Sequence, residues 1–149
     1  MPKLHQKKIL NHSAKEIYAL VLDIEKYPEF LPWCKAAKII EVTSQQNLQA
    51  DLLINFKNFF EKYRSNVTHG QSAPTHYFID VVAIEGPFKS LINNWKISEI
   101  SAQKCEVDFF LEFEFNSIFL TKLLGNFFER AAEKMMNAFE GRAKNLAKI

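Results

Sequence analysis

Between about Ala36 and Phe115 apolar and polar side chains alternate with period two, the spacing of a strand buried on one face only. Leu48, Ala50, Leu52, Ile54 and Phe56 alternate with mostly polar neighbours. The clearest stretch is 106–115. Val107, Phe109, Leu111, Phe113 and Phe115 fall on one face, Glu106, Asp108, Glu112 and Glu114 on the other, with Phe110 as the exception. Turn signals fall at Gln45-Gln46-Asn47, His69-Gly70-Gln71-Ser72, Glu85-Gly86-Pro87 and Ser101-Ala102. The region predicts about six strands in an antiparallel meander.

The flanks follow other periods. Lys3 to Asn11 predicts a first strand. Ser13-Ala14-Lys15-Glu16 has the capping-box pattern, and Ile17, Leu20, Val21 and Ile24 give the helix it opens one apolar face. In Tyr27-Pro28-Glu29-Phe30-Leu31-Pro32-Trp33-Cys34 the two prolines bias Tyr27 and Leu31 toward extended backbone and predict a stiff apolar connector. From about Ser117 to Lys148 a long helix is expected. Leu120, Leu124, Phe127, Phe128, Ala131, Met135, Ala138 and Phe139 share one face, and Lys122, Glu129, Glu133, Asn137, Glu140 and Lys144 the opposite one. Arg142 falls on the apolar side, where a snorkelling guanidinium complements the helix C-terminal dipole. One sheet with an apolar face needs a cover, and only the C-terminal helix is large enough. The space between them is either filled by side chains or used for a ligand.

Composition narrows the class. Residues 1–149 fit one domain, and 48% hydrophobic with 24% charged residues is ordinary for a soluble globular protein. The 14 phenylalanines are in excess, which fits a large core or an apolar cavity. A net charge of +2 does not call for DNA or RNA. No apolar run approaches membrane-spanning length, and the N-terminus lacks a secretory core, so a cytoplasmic location is expected. Cys34 and Cys105 form no CxxC pair, and the four histidines show no metal-ligand spacing, so neither a metal nor a catalytic cofactor is expected. Cys34 has no histidine beside it in sequence and reads as an inert buried thiol. The acidic stripe of 106–114 alternates too strictly for catalytic carboxylates and reads as a solvated outer face.

Several motifs carry a resemblance. The stretch 27–34, Gly86-Pro87-Phe88 followed by Leu91, Asn93 and Trp95, the run Cys105 to Phe115, Gly125 with Phe128, and Phe139-Glu140-Gly141-Arg142-Ala143 resemble, in order and spacing, the coenzyme Q-binding START-domain family. The match runs from about residue 5 to 147. It implies an α+β helix-grip, START-like fold: a seven-stranded antiparallel sheet around the long C-terminal helix, with two short helices after the first strand. It also implies a hydrophobic tunnel for ubiquinone or a related isoprenoid lipid, in support of respiratory electron transport. The same family includes bacterial ribosome-association toxins thought to block joining of the ribosomal subunits, so the large subunit is the alternative partner. The family's Ser-Arg-Val pattern is here Ser65-Asn66-Val67, with an arginine displaced to Arg64.

Under the resemblance, the candidate ligand-binding residues are Phe30, Leu31, Trp33, Phe56, Tyr63, Phe88, Trp95, Leu111, Phe113, Leu124, Phe127, Phe128, Met135 and Phe139. Without it, plain core is the favoured reading of the aromatic set. Tyr63, Ser65 and Asn93 are the polar groups able to meet a quinone carbonyl, although such residues more often satisfy backbone or water. Lys3, Lys7, Lys8, Lys57, Lys62, Arg64, Lys144 and Lys148 are the cations available to ribosomal RNA or a membrane surface. Acidic neighbours make a solubilising surface an equal reading. An aromatase or cyclase activity finds no acid/base constellation to support it.

Overall fold

Ser13 opens the first helix as the capping pattern requires. Its Oγ accepts from the Glu16 backbone N–H at 3.1 Å and donates to the Glu16 carboxylate at the same distance. In the computed structural model, which describes residues 3–56 and 59–147 (the side chains of 56, 125, 128 and 147 excepted), the chain runs β1 (Lys3–Leu10), α1 (Ala14–Leu22), a 3-10 helix (Ile24–Glu29), β2 (Cys34–Ser44), β3 (Asn47–Phe56), β4 (Phe59–Ala73), β5 (His76–Glu85), β6 (Phe88–Ser101), β7 (Lys104–Phe115) and α2 (Ile118–Ala147). The strands form one seven-stranded sheet in the order β1-β7-β6-β5-β4-β3-β2, every pair antiparallel.

Period-two burial sets the inner face. Cys105, Val107 and Phe109 are fully buried, with Phe113 and Phe115 nearly so, and β6 presents Leu91, Asn93, Trp95 and Ile97 beside them. The alternate residues of β7 lie outward, where Asp108 meets His5 and Glu112 meets Lys3. Met136, Phe139 and Ala143 of α2 close the same core. Register shifts between Arg64 and Ser65 of β4 and between Phe88 and Ser90 of β6 mark bulges, which bend strands and raise local twist. They flank the Gly86-Pro87 connection. Gly86 has φ +130°, and a Cβ there would lie 2.6 Å from Tyr63 Cβ, so only glycine fits where β5 leaves the sheet.

Three expectations need correction. Tyr27 is not extended. It lies in the 3-10 helix, where its carbonyl accepts from Phe30 N (3.1 Å) and Leu31 N (2.9 Å), and that local closure outweighs the bias from Pro28. The segment 69–72 is not a turn. It continues β4, and the reversal comes at 74–75, where Pro74 supplies the turn residue. Gly70 is there for space: an added Cβ would meet the Phe78 ring at 3.2 Å and Gln46 Nε2 at 3.0 Å. Arg142 does not simply snorkel. Its Nη2 meets Glu29 Oε1 at 2.9 Å and its guanidinium lies 5.4 Å from the Phe30 ring centre, tying α2 to the 3-10 helix. That pairing holds the Glu29 carboxyl below its ordinary range.

A second tie joins α1 to the sheet. The Tyr18 ring packs at 4.7 Å, tilted by 34°, on Tyr77 of β5, and its hydroxyl lies 2.7 Å from His69 Nδ1 of β4. Desolvation lowers the His69 pKa from the usual 6.5. A folded-state pKa below the unfolded one gives stability that is complete above about pH 6.5 and is lost as pH falls through the folded value. Urea midpoints are therefore expected to drop between about pH 7.5 and about pH 5, and to drop less in His69→Gln.

Candidate functional site

The inner face of β3 to β7 and the middle of α2 enclose two adjoining apolar chambers. The first, of about 70 Å³, is lined by Trp33, Ile54, Tyr63, Val81, Phe88, Leu91, Asn93, Leu111, Phe113, Ala131, Ala132 and Met135. The second, of about 50 Å³, lies toward the 3-10 helix and adds Ile24, Tyr27, Leu52, Ser65, Val67, Trp95 and Phe139. Trp33, Tyr63, Val81, Asn93 and Met135 line both, so the chambers adjoin. Neither lining holds a charged residue. Both volumes fall well short of the several hundred Å³ that hold a drug-sized ligand, so aromatic rings must move apart for anything large to enter.

The rings pack mainly edge to face. Tyr63 and Phe88 meet at 5.3 Å, Phe88 stacks on Phe115 at 4.9 Å, and Trp95 meets Phe109 at 4.8 Å and Phe139 at 5.0 Å. Each such pair adds about 0.5–1.5 kcal/mol beyond area burial. Asn93 is engaged at both side-chain atoms: Nδ2 donates to the Phe110 carbonyl at 2.9 Å and Oδ1 accepts from Trp95 Nε1 at 3.0 Å. Ser65 Oγ donates to the Ala50 carbonyl at 3.3 Å. Tyr27 donates its hydroxyl to the Val21 carbonyl. Burial pushes the Tyr27 and Tyr63 hydroxyls further above their ordinary pKa, so both stay protonated. Burial also pushes the Cys34 thiol up to about 12 and the Cys105 thiol up to about 11, which removes both as nucleophiles near neutral pH.

The candidate residues separate by position. Trp33, Tyr63, Phe88, Leu111, Phe113 and Met135 line the first chamber, and Trp95 and Phe139 the second. Phe30 packs against Phe139 at 5.1 Å, outside both chambers, and Leu31 is fully buried in the core. Leu124 is buried in a smaller cluster with Leu91, Phe113 and Phe115, and the half-buried Phe127 lines neither chamber. The side chains of Phe56 and Phe128 lie outside the described residues, as do Lys57 and Lys148. Ile54, Val81, Leu91, Ala131 and Ala132 of the first chamber, and Ile24, Tyr27, Leu52 and Val67 of the second, were missed as lining residues. Ile54 was legible from β3 parity, and Ala131 from its place on the apolar face of α2. Among the cations, Lys3, Lys8, Lys62 and Arg64 are engaged by Glu112, Glu140 and Asp51. Arg64 and Asn66 point away from the chambers, between the inward Tyr63, Ser65 and Val67. The displaced arginine therefore stays on the outer face, where it spans Asp51 at 2.8 Å and Glu85 at 3.6 Å.

Among the described residues no cluster of His, Cys, Asp and Glu could hold a metal, and no helix is long and apolar enough to cross a membrane. A family model described as polyketide cyclase / dehydrase and lipid transport matches residues 10–140. The ribosome association toxin RatA of Rickettsia prowazekii is 43% identical over 95% of each chain. The mitochondrial coenzyme Q-binding protein COQ10 homolog B of Xenopus laevis is 30% identical over 93% of this chain and 56% of its own. Among solved structures, the Zhui aromatase/cyclase of a Streptomyces superposes with a TM-score of 0.81 at 14% identity, covering 96% of this chain and 93% of that one, a likeness of fold alone.

Proposed function

The chain belongs to the polyketide cyclase / dehydrase and lipid transport family, and on that premise we propose that it holds a neutral isoprenoid lipid of the ubiquinone class between sheet and α2, as a carrier and not an enzyme. The observation that carries this reading is the charge-free pair of adjoining chambers walled by Trp33, Tyr63, Phe88, Phe113 and Met135. Desolvation supplies the affinity, at about 25 cal/mol per Å² of apolar area buried. The small chamber volumes require the wall to part around a lipid, with entry through displacement of the 27–34 segment or the Gly86-Pro87-Phe88 connection. At the start of α2, Ile118, Phe119 and Leu123 are 77%, 71% and 64% exposed, an apolar set suited to transient contact with the inner face of the cytoplasmic membrane. Support of respiratory electron transport follows from the quinone assignment.

A second reading has its own observation: full-length relatives, at up to 43% identity among those compared, are named ribosome association toxins. On this reading the outer surface binds the large ribosomal subunit and inhibits translation initiation, and the cavity is core. One preparation tests both. Organic extracts of the purified protein are expected to yield polyprenyl quinone by mass spectrometry. Lipid-free protein that takes up none from vesicles would sink the carrier reading, while co-sedimentation of that lipid-free protein with purified large subunits would establish the other.

A further inference from the structure

Arg64 and Arg142 each meet a carboxylate, but not in the same way. Arg64 takes Asp51 side-on, with Nε on Oδ1 at 2.8 Å and Nη2 on Oδ2 at 3.3 Å. Strand register holds that pair: the two residues sit opposite each other across β3 and β4, and Lys62 Nζ at 3.8 Å from Asp51 does not disturb it. Arg142 is only half engaged. Its Nη2 donates to Glu29 Oε1 at 2.9 Å, while Nε, the other donor of a side-on pair, is fully buried with no hydrogen-bond partner among the described residues. No register holds Glu29, and its second oxygen faces Lys26 Nζ at 3.6 Å on the same 3-10 helix. A buried donor without an acceptor destabilises the arrangement that buries it.

The chain that carries Glu29 is framed for local movement. Ile24 and Leu31 are buried on either side of it, whereas Tyr27, Pro28 and Phe30 are half-buried and Lys26 and Glu29 are exposed. It rests on α2 through Tyr27 and Phe30 against Phe139, at 5.4 and 5.1 Å, and through the Phe30 ring under the Arg142 guanidinium. It rests on α1 through the Tyr27 hydroxyl, which donates to the Val21 carbonyl. We infer that Glu29 and Arg142 form a half-engaged latch: Lys26 to Phe30 lift from α2 between the anchors Ile24 and Leu31 while the sheet stays intact. Lys26 sets how readily they do so, by holding one oxygen of Glu29 away from Arg142 Nε. Lifting hydrates Nε, so opening recovers what its burial forfeits. The latch stands on these contacts alone. Its use rests on the carrier reading: Tyr27 lines the second chamber, so lifting uncovers that chamber.

Amide hydrogen exchange of the full chain, read by NMR, tests the latch without any ligand. The Phe30 and Leu31 amides both donate to the Tyr27 carbonyl, and so short a turn does not hold itself once off α2, so their protection reports the lifting. In wild type they are expected to exchange about tenfold or more faster than the amides of β6, an inner strand. Lys26→Met releases the second Glu29 oxygen to Nε and should slow exchange at Phe30 and Leu31 by about three- to tenfold, the worth of one partly exposed hydrogen bond, with β6 unchanged. Glu29→Gln should speed it by a similar factor. In that background Lys26→Met should have no effect, because the carboxylate that couples the two cations is gone. Lys15→Met, which removes an exposed cation from α1, controls for net charge and should leave both amides as in wild type. Unchanged or faster exchange in Lys26→Met overturns the latch. So does an equal shift in β6, which would be a change in overall stability, and so does wild-type exchange of Phe30 and Leu31 at the β6 rate, which would mean that the segment does not lift by itself. Slowed exchange with quinone uptake from vesicles at the wild-type rate supports the latch and places entry elsewhere. Failure to take up any quinone counts against the carrier reading and leaves the exchange result standing.

Discussion

Phe139→Ala is expected to lower the free energy of unfolding by about 3–5 kcal/mol, the largest loss among the described side chains of α2. Phe139 is 1% exposed and is the point at which three elements meet. Its ring lies 5.4 Å from Tyr27 and 5.1 Å from Phe30, both near the end of the 3-10 helix, and 5.0 Å from Trp95 on β6. Truncation removes the buried ring and leaves a void that three facing rings cannot collapse into without giving up their own edge-to-face geometry. It also frees the Arg142 end of the helix, because the Glu29 bridge and the contact over Phe30 depend on the same docking. Urea unfolding followed by tryptophan fluorescence measures this directly, since Trp95 is a contact partner. Phe119→Ala is the reference: at 71% exposure it should stay within about 0.5 kcal/mol of wild type. A loss below about 1 kcal/mol in Phe139→Ala would mean that α2 does not dock on the sheet as described.

The sheet was legible wherever one face of a strand is buried and the other wet. Alternation alone placed Val107, Phe109, Phe113 and Phe115 inward, and the six strands after β1 all form. It failed where a local signal has two meanings. Gly70 reads as a turn residue, yet it is glycine because the Phe78 ring crosses close to it. Pro28 reads as a helix breaker, yet a 3-10 turn tolerates it. The helix face was legible but too narrow: Leu124 and Phe139 are buried and Leu120, Met135 and Ala138 pack against the core, while Ala132 and Met136, outside the stripe, are buried as well. The stripe is wide because α2 faces core on one side and cavity on the other, which is why Ala131 and Met135 are apolar without being buried. At the site, the aromatic wall was readable in part. That Ser65 and Asn93 are engaged within the protein was not. It depends on which hydroxyl or amide finds a carbonyl across the sheet, and register, not residue type, decides that.

Ala132→Leu separates a working cavity from an incidental packing defect. Ala132 is 5% exposed on α2 and lines the first chamber, so three added carbons extend into that chamber. In the free protein the gain in burial and the strain of insertion act against each other, and stability should stay within about 1 kcal/mol of wild type. With lipid the balance changes. Ligand and leucine compete for one volume, and accommodating both forces rotamer and backbone shifts of about 1–3 kcal/mol, which corresponds to a fall in quinone affinity of about 5- to 150-fold. Vesicle partition measures it. Equal uptake by Ala132→Leu and wild type would place the lipid elsewhere on the molecule. The same variant bears on the ribosome, because Ala132 is buried and the substitution leaves the outer surface unchanged. If the chain binds large subunits through that surface, Ala132→Leu should sediment with them as wild type does. Loss of lipid with retention of the ribosome would show two separate sites on one fold. Joint loss would mean that lipid occupancy sets the shape the ribosome recognises.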